Sequence, residues 1–159
     1  MSKPLLPHFE TVRSDWVDYN GHMNVAYYVL IFDHATDALL EHVGLNEEYR
    51  TRTNGSVFVV ESHIIYENEV LAGVNVEVDT RILAVDDKRL HLFLSMRENG
   101  SNSTAATIEI MILHVDLKTR KSSPFAQSIK TELSRIMGNQ SSEPIPPQAG
   151  RQIAIRNTR

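Results

Sequence analysis

The chain has 159 residues, which is typical of one globular domain, and its 42% hydrophobic and 23% charged residues are ordinary for a globular protein. It contains no cysteine, which excludes disulfide scaffolds, cysteine nucleophiles and thiolate metal sites. The net charge of −4 gives no general attraction to nucleic acid or anionic membranes. No apolar run is long enough for a membrane helix or a signal peptide. We therefore expect a cytoplasmic protein without nucleic-acid or membrane partners.

The first third of the chain predicts a short strand, a loop and a long helix. Alternating residues favour a strand over 8–13, and residues 15–24 combine turn residues with aromatic and imidazole rings, as functional loops do. Asn24 is a suitable N-cap, the apolar spacing continues to Val43, and Gly44 is placed to end the helix. Because residues 25–32 are all apolar or aromatic, we expect the first two turns to be buried on all sides.

The middle of the chain predicts antiparallel strands. Runs of β-branched, aromatic or alternating residues cover 57–66, 74–85, 90–96 and 104–116, and tight-turn signals separate successive strands. A weaker helix is predicted over 126–137, with Gly138 to end it. Residues 139–159 are poor in apolar residues and contain three prolines, so we predict one domain over 1–138 and a flexible tail over 139–159.

These elements indicate an α+β fold. A sheet of five or more strands has an apolar face that needs a cover, and the long helix is the only candidate large enough. A curved antiparallel sheet wrapped around one central helix is the hotdog fold.

The letters DYNGHMNVAYY at 18–28 resemble the D-x-x-G-H-x-N-x-x-Y signature of hotdog acyl-CoA thioesterases, in the 4-hydroxybenzoyl-CoA thioesterase-like superfamily. The resemblance extends over about residues 8–125. Within the superfamily, the loop and the Lys88–His91 turn are most similar to the thioesterases of carnitine and betaine breakdown, whose expected substrate is betainyl-CoA. The resemblance implies that Asp18 is the catalytic carboxylate and that backbone amides near Gly21, His22 and Met23 bind the carbonyl oxygen.

The residues support this chemistry without the resemblance. A buried helix N-terminus offers unpaired N–H groups and a positive dipole end, which can polarise a thioester carbonyl. Asp18 precedes the N-cap by six residues and could attack the carbonyl or activate water. The competing interpretation is that Asp18 is a turn residue with a structural Asx bond, and Asp15 is a second carboxylate nearby.

Other residues are candidates for substrate contacts. Asn24 is expected to cap the helix and could also touch the acyl group, and His22 could orient the substrate or simply bond to the loop backbone. The rings of Trp16, Tyr19, Tyr27 and Tyr28 could form an acyl pocket that holds a quaternary ammonium by cation–π attraction, or could be ordinary packing. Glu61 and His63 share one strand face and could reach a partner subunit's site, or could be structural.

The sequence predicts no metal and no cofactor beyond the coenzyme A of the substrate. His34, Asp37 and Glu41 have spacings that could bind a metal, but a solvated helix face explains them better. The alternatives to a thioesterase are a hotdog hydratase or dehydratase, and an acyl-CoA-binding domain without activity. Exposed sheet edges and the resemblance imply a homodimer or homotetramer with sites built from both subunits.

Overall fold

The computed structural model describes residues 4–155, which form three helices and six strands. The elements are β1 (His8–Thr11), α1 (Val25–His42), α2 (Glu47–Thr53), β2 (Gly55–Tyr66), β3 (Asn75–Val85), β4 (Arg89–Glu98), β5 (Thr104–Asp116), β6 (Lys121–Ser122) and α3 (Gln127–Asn139). A 3-10 turn, Ser14–Trp16, lies in the loop between β1 and α1.

The strands form one antiparallel sheet in the order β1-β3-β4-β5-β2, and β6 pairs with β5. Leu90, Leu92 and Leu94 alternate along β4 and pair with isoleucines of β5, so that one face of the sheet is continuously apolar. Buried residues of α1, including Ile31 and Phe32, belong to the same hydrophobic core. The predicted α+β fold, with a curled antiparallel sheet around one long helix, is confirmed.

The predicted ends of α1 are confirmed. The Asn24 side chain accepts a hydrogen bond of 3.0 Å from the Ala26 N–H, and Gly44 follows the helix with φ of +85°. The expectation that the first two turns are buried on all sides was wrong for a single chain. Val25 is 57% exposed and Val29 is 41% exposed, because no element within residues 4–155 covers that side of the helix.

Exposed apolar side chains lie on this side of α1 and along the edge strand β2. A register shift between Val59 and Glu61 leaves Val60 without a partner on β5. We call this surface the β2 patch, and its members are Val25, Val29, Phe58, Val59, Val60 and Tyr66.

Two short elements, α2 and β6, were not predicted. The seven residues of α2 begin at the cap Asn46, whose side chain accepts from the Tyr49 N–H, and only Tyr49 of this helix is buried. One buried residue gives no periodic signal in the sequence. The prediction that Gly138 ends the last helix was also wrong, because α3 continues to Asn139 with Gly138 inside it.

Residues 140–155 contain no helix or strand, and part of this segment hydrogen-bonds to the sheet. The Arg81 guanidinium donates to the backbone carbonyl of Glu143 at 2.6 Å, and the Gln140 side chain accepts from the Ile82 N–H at 2.9 Å. Farther along, the Gly150 N–H donates to the Glu109 carboxylate. That the tail is flexible stays a prediction. No helix within residues 4–155 is long and apolar enough to cross a membrane.

Candidate active site

The loop before α1 is folded back on itself. Val17 and Met23 form an isolated antiparallel bridge, and between them the Asp18 N–H donates to the His22 carbonyl at 3.1 Å. Gly21 occupies the turn with φ of +84°, a conformation that glycine adopts without steric cost. The Asn24 N–H donates to the Trp16 carbonyl at 2.9 Å, which ties the end of the loop to its beginning. The loop is therefore held in one shape at the N-terminus of α1.

The Asp18 carboxylate is partly exposed and oriented by this loop. Its Oδ1 accepts a hydrogen bond of 2.8 Å from the Asn20 N–H, which is the Asx bond of the structural interpretation. Its Oδ2 has no hydrogen-bond partner among residues 4–155. The turn bond therefore fixes the carboxylate in place and leaves one oxygen available for chemistry.

The three backbone amides that were expected to bind the carbonyl oxygen differ in whether they already donate a hydrogen bond within the protein. The Gly21 N–H donates to the Asp18 carbonyl at 3.0 Å, and the Met23 N–H donates to the Val70 carbonyl at 2.7 Å, so both amides are occupied. Within the described part of the chain, the His22 N–H has no acceptor. The first helical amide, Val25 N–H, has none either. The available donors are therefore those of His22 and Val25.

Three of the four predicted pocket rings are placed differently from the expectation. Trp16 is buried and stacks on Tyr27 with ring centroids 5.2 Å apart, and the Arg13 guanidinium lies 5.7 Å from the Trp16 centroid. The Trp16 ring is thus already in contact with other side chains of the protein. Tyr19 is 97% exposed and packs with none of the other three rings. A substrate contact by Trp16, Tyr19 or Tyr27 stays a prediction.

Tyr28, the fourth ring, lines a cleft of about 200 Å³ beside the loop. Tyr66 of β2 meets it edge to face at 5.3 Å, and the Tyr66 hydroxyl donates to the Val25 carbonyl. Burial raises the pKa of both hydroxyls, so both rings are neutral at pH 7. His22 and Met23 of the loop complete one wall of the cleft.

The opposite wall comes from the connection between β2 and β3, and sequence analysis did not find it. Glu67, Asn68 and Glu69 line the cleft there, and Glu69 Oε2 lies 4.0 Å from His22 Nε2. These residues are more than 40 positions from the loop. The two segments are joined by the Met23–Val70 backbone bond and by the Tyr28 hydroxyl, which donates to the Asn68 carbonyl. The cleft is therefore both aromatic and acidic.

Glu61 and His63 lie elsewhere. Their strand partners are Met111 and Glu109, which face away from the isoleucines that pack under α1. They line a cavity of about 320 Å³ on the outer face of the sheet, together with His91 and Glu109. Within one chain, Glu61 and His63 therefore line a cavity that does not include Asp18.

Comparison with known proteins identifies the family. Residues 12–133 match the family described as the thioesterase-like superfamily. The chain belongs to the thioesterase-like superfamily. The match includes the Asp18 loop and α1.

Individual relatives agree with this assignment. The chain is 37% identical to the betainyl-CoA thioesterase of Pseudomonas aeruginosa over 98% of both chains. It is 41% identical to an Agrobacterium fabrum protein named L-carnitine dehydrogenase/betainyl-CoA thioesterase, over 96% of this chain and 31% of that longer protein. A Staphylococcus aureus protein solved in complex with coenzyme A superposes with a TM-score of 0.91 at 33% identity over 98% of both chains. The chain is a thioester hydrolase of this superfamily.

Proposed function

We propose that this protein hydrolyses betainyl-CoA to the free carboxylic acid and coenzyme A, with Asp18 as the catalytic carboxylate. The observation that carries the proposal is the aromatic and acidic cleft beside the Asp18 loop. The near full-length similarity to a betainyl-CoA thioesterase, and to a structure that binds coenzyme A, supports it.

The residues of the loop fit thioester hydrolysis. The His22 and Val25 amides are available to stabilise the negative charge that develops on the carbonyl oxygen, and one such donor is typically worth about 3 kcal/mol. The free oxygen of Asp18 would take a proton from water as the water oxygen attacks the carbonyl carbon, or would itself attack to form an anhydride that water then opens. In both routes the C–S bond breaks, and the coenzyme A thiolate leaves and gains a proton.

The chemistry of the cleft fits a cationic acyl group. The betainyl group ends in a quaternary ammonium, which cannot donate a hydrogen bond and is recognised by ring faces and by negative charge. Tyr66, which is 45% exposed, supplies the ring face, and the buried Tyr28 packs against it. Glu67 and Glu69 supply the charge. An uncharged acyl group of the same shape gains nothing from the two carboxylates.

We further propose that the working form is a homodimer assembled through the β2 patch. Unpaired edge strands and contiguous exposed apolar surface are typical of protein interfaces. The patch includes Val25 and Tyr66, which also line the cleft, so a second chain placed there would close the site. The Asp18 carboxylate does not line the cleft within one chain, and this fits a site that needs both chains.

The decisive test is Asp18→Asn, assayed by thiol release from betainyl-CoA. This change keeps an oxygen that can accept the Asn20 N–H bond, and it removes the base or nucleophile. We expect kcat to fall by about 10²- to 10⁴-fold, the usual contribution of a positioned acid–base group. The matched control is Asp15→Asn, because Asp15 is exposed and pairs with Arg13 at 2.8 Å.

The control should keep its activity within about twofold, as surface changes usually do. Equal activity in the two variants would remove Asp18 from the mechanism. Intact binding of betainyl-CoA without thiol release by the parent protein would favour the acyl-CoA-binding alternative.

A further inference from the structure

Three potential metal ligands converge between β1 and α1, away from the cleft. His8 and Glu10 lie two positions apart on β1 and share a face, and His34 extends from α1 toward them. His8 Nε2 lies 3.1 Å from Glu10 Oε2, and His34 Nδ1 lies 2.9 Å from the same oxygen. One nitrogen of each imidazole and one carboxylate oxygen all lie within 4.8 Å of one another.

We propose that His8, Glu10 and His34 bind a divalent transition-metal ion of the zinc type. Sequence analysis considered His34 with Asp37 and Glu41 on the same helix and favoured a solvated face. The structure instead pairs His34 with two residues of a different element, 24 and 26 positions away in the chain. No local spacing could have indicated this set.

The geometry of the three ligands suits such an ion. Metal–ligand distances of about 2.0–2.2 Å at tetrahedral angles place ligand atoms roughly 3.4 Å apart. The two separations from Glu10 Oε2, 3.1 and 2.9 Å, are within about half an ångström of that value, and the two imidazole nitrogens lie within 4.8 Å of each other. Two imidazoles with one carboxylate and no thiolate favour zinc or a neighbouring transition metal over Mg²⁺ and Ca²⁺, which require oxygen ligands. The side chains are 20–40% exposed, so water can fill the remaining position.

The ligands are held by rigid elements. His8 and Glu10 pair with Val78 and Val76 in the sheet, and His34 lies in the third turn of an 18-residue helix. The two carboxylates nearest to His34 along the helix are Asp33 and Asp37, which add negative charge around a bound cation. A metal here would join the first strand of the sheet to the central helix.

This site is separate from the thioesterase chemistry. His34 follows the helix N-cap by ten residues, which is about 15 Å along the axis at the usual helical rise. A metal bound by His34 therefore cannot reach the thioester carbonyl. Its effect would be on the stability of the packing between β1 and α1.

The test is titration of Zn²⁺ and Co²⁺ into the full chain, prepared without a histidine tag and stripped with a chelator. We expect uptake of one Zn²⁺ per chain by calorimetry, an absorption band of Co²⁺ in a site of low coordination number, and a higher unfolding temperature with Zn²⁺. His34→Gln should weaken Zn²⁺ binding by at least the ten- to hundredfold that loss of even an outer partner costs. His8→Gln tests the same site from β1 and should give the same loss.

The matched control is His91→Gln, which removes the imidazole of another histidine–carboxylate pair, 2.7 Å from Glu109 on the outer face of the sheet. This variant should bind Zn²⁺ like the parent. The proposal is overturned if the parent shows no saturable uptake, if His34→Gln binds Zn²⁺ as well as the parent, or if His91→Gln removes the site. The unfolding transition of His34→Gln without metal shows whether that variant is folded.

Discussion

At the scale of single residues, the proposed selectivity of the cleft for a cationic acyl group can be tested at Glu69. An exposed carboxylate near a cation is worth up to about 1 kcal/mol, so Glu69→Gln should lower kcat/KM for betainyl-CoA by about two- to fivefold. The comparison substrate is 3,3-dimethylbutanoyl-CoA, in which carbon replaces the ammonium nitrogen without a change of shape. Hydrolysis of this neutral analogue should be unaffected, because it carries no charge for Glu69 to attract.

A matched change, Glu48→Gln, removes an exposed carboxylate from α2 that does not line the cleft. The ratio of kcat/KM for betainyl-CoA to kcat/KM for the neutral analogue should stay as in the parent. If kcat/KM fell equally for both substrates in Glu69→Gln, Glu69 would act through His22, 4.0 Å away, and not on the acyl cation.

The sequence predicted site residues that lie close together in the chain and missed those that come from distant segments. Asp18, Gly21 and the Asn24 cap form one continuous segment, so a motif could identify them. Tyr66 and Glu69 complete the cleft from the next connection of the sheet, and nothing near them in the sequence marks that role. The contact of the Arg13 guanidinium with the Trp16 ring could not be predicted either, because it depends on side-chain packing within the folded loop.

Among the elements, α3 offers a test of the corrected helix end. Gly138 lies inside the helix, and a Cβ added there would meet no atom within 4 Å. Gly138→Ala should therefore raise the free energy of unfolding by about 0.5–1 kcal/mol, since alanine loses less backbone entropy in a helix. Urea denaturation followed by circular dichroism measures this change.

Gly44→Ala is the opposite case and serves as the control. Gly44 has φ of +85°, a conformation that is strained for a residue with a side chain. The free energy of unfolding of this variant should therefore fall by about 1 kcal/mol. If Gly138→Ala also destabilised the protein, the helix would end at Gly138 as the sequence first suggested.

Most of the elements that sequence analysis found have a pattern over many residues. Strands β3 to β5 alternate over ten or more residues, β2 is a twelve-residue strand rich in β-branched and aromatic residues, and α1 keeps helical spacing over 18. The elements it missed, α2 and β6, have seven and two residues, and α2 buries only Tyr49, so neither shows an apolar period. The burial of α1 was overestimated because apolar residues can be buried within their own chain or exposed on its surface, and the sequence does not distinguish the two.

For the whole molecule, the proposed dimer can be tested at the β2 patch. Val59 is 53% exposed on the edge strand, and Val59→Arg would place a charge where the second chain is expected to pack. We expect the variant to run as a single chain in size-exclusion chromatography with light scattering, and to lose most of its thiol release. The parent should have the mass of two or four chains.

Phe9→Arg is the control for this experiment, because Phe9 is also exposed, at 51%, but lies on the opposite edge of the sheet. It should keep the mass of the parent. A monomeric parent with full activity would contradict the dimer proposal and would mean that one chain holds the complete site.

The two edges of the sheet are unequal in length, with four residues in β1 and twelve in β2. A sheet with two long free edges can add copies at both sides and grow into a fibre. Pairing about a two-fold axis through β2 would use the long edge of both chains at once. It would leave outside the short β1 edges and the rest of β3, where the Gln140 side chain bonds to the backbone of Thr80 and Ile82. In the proposed dimer, growth by strand addition would stop after one step, so the edge that binds the second chain would also limit the assembly to a closed particle.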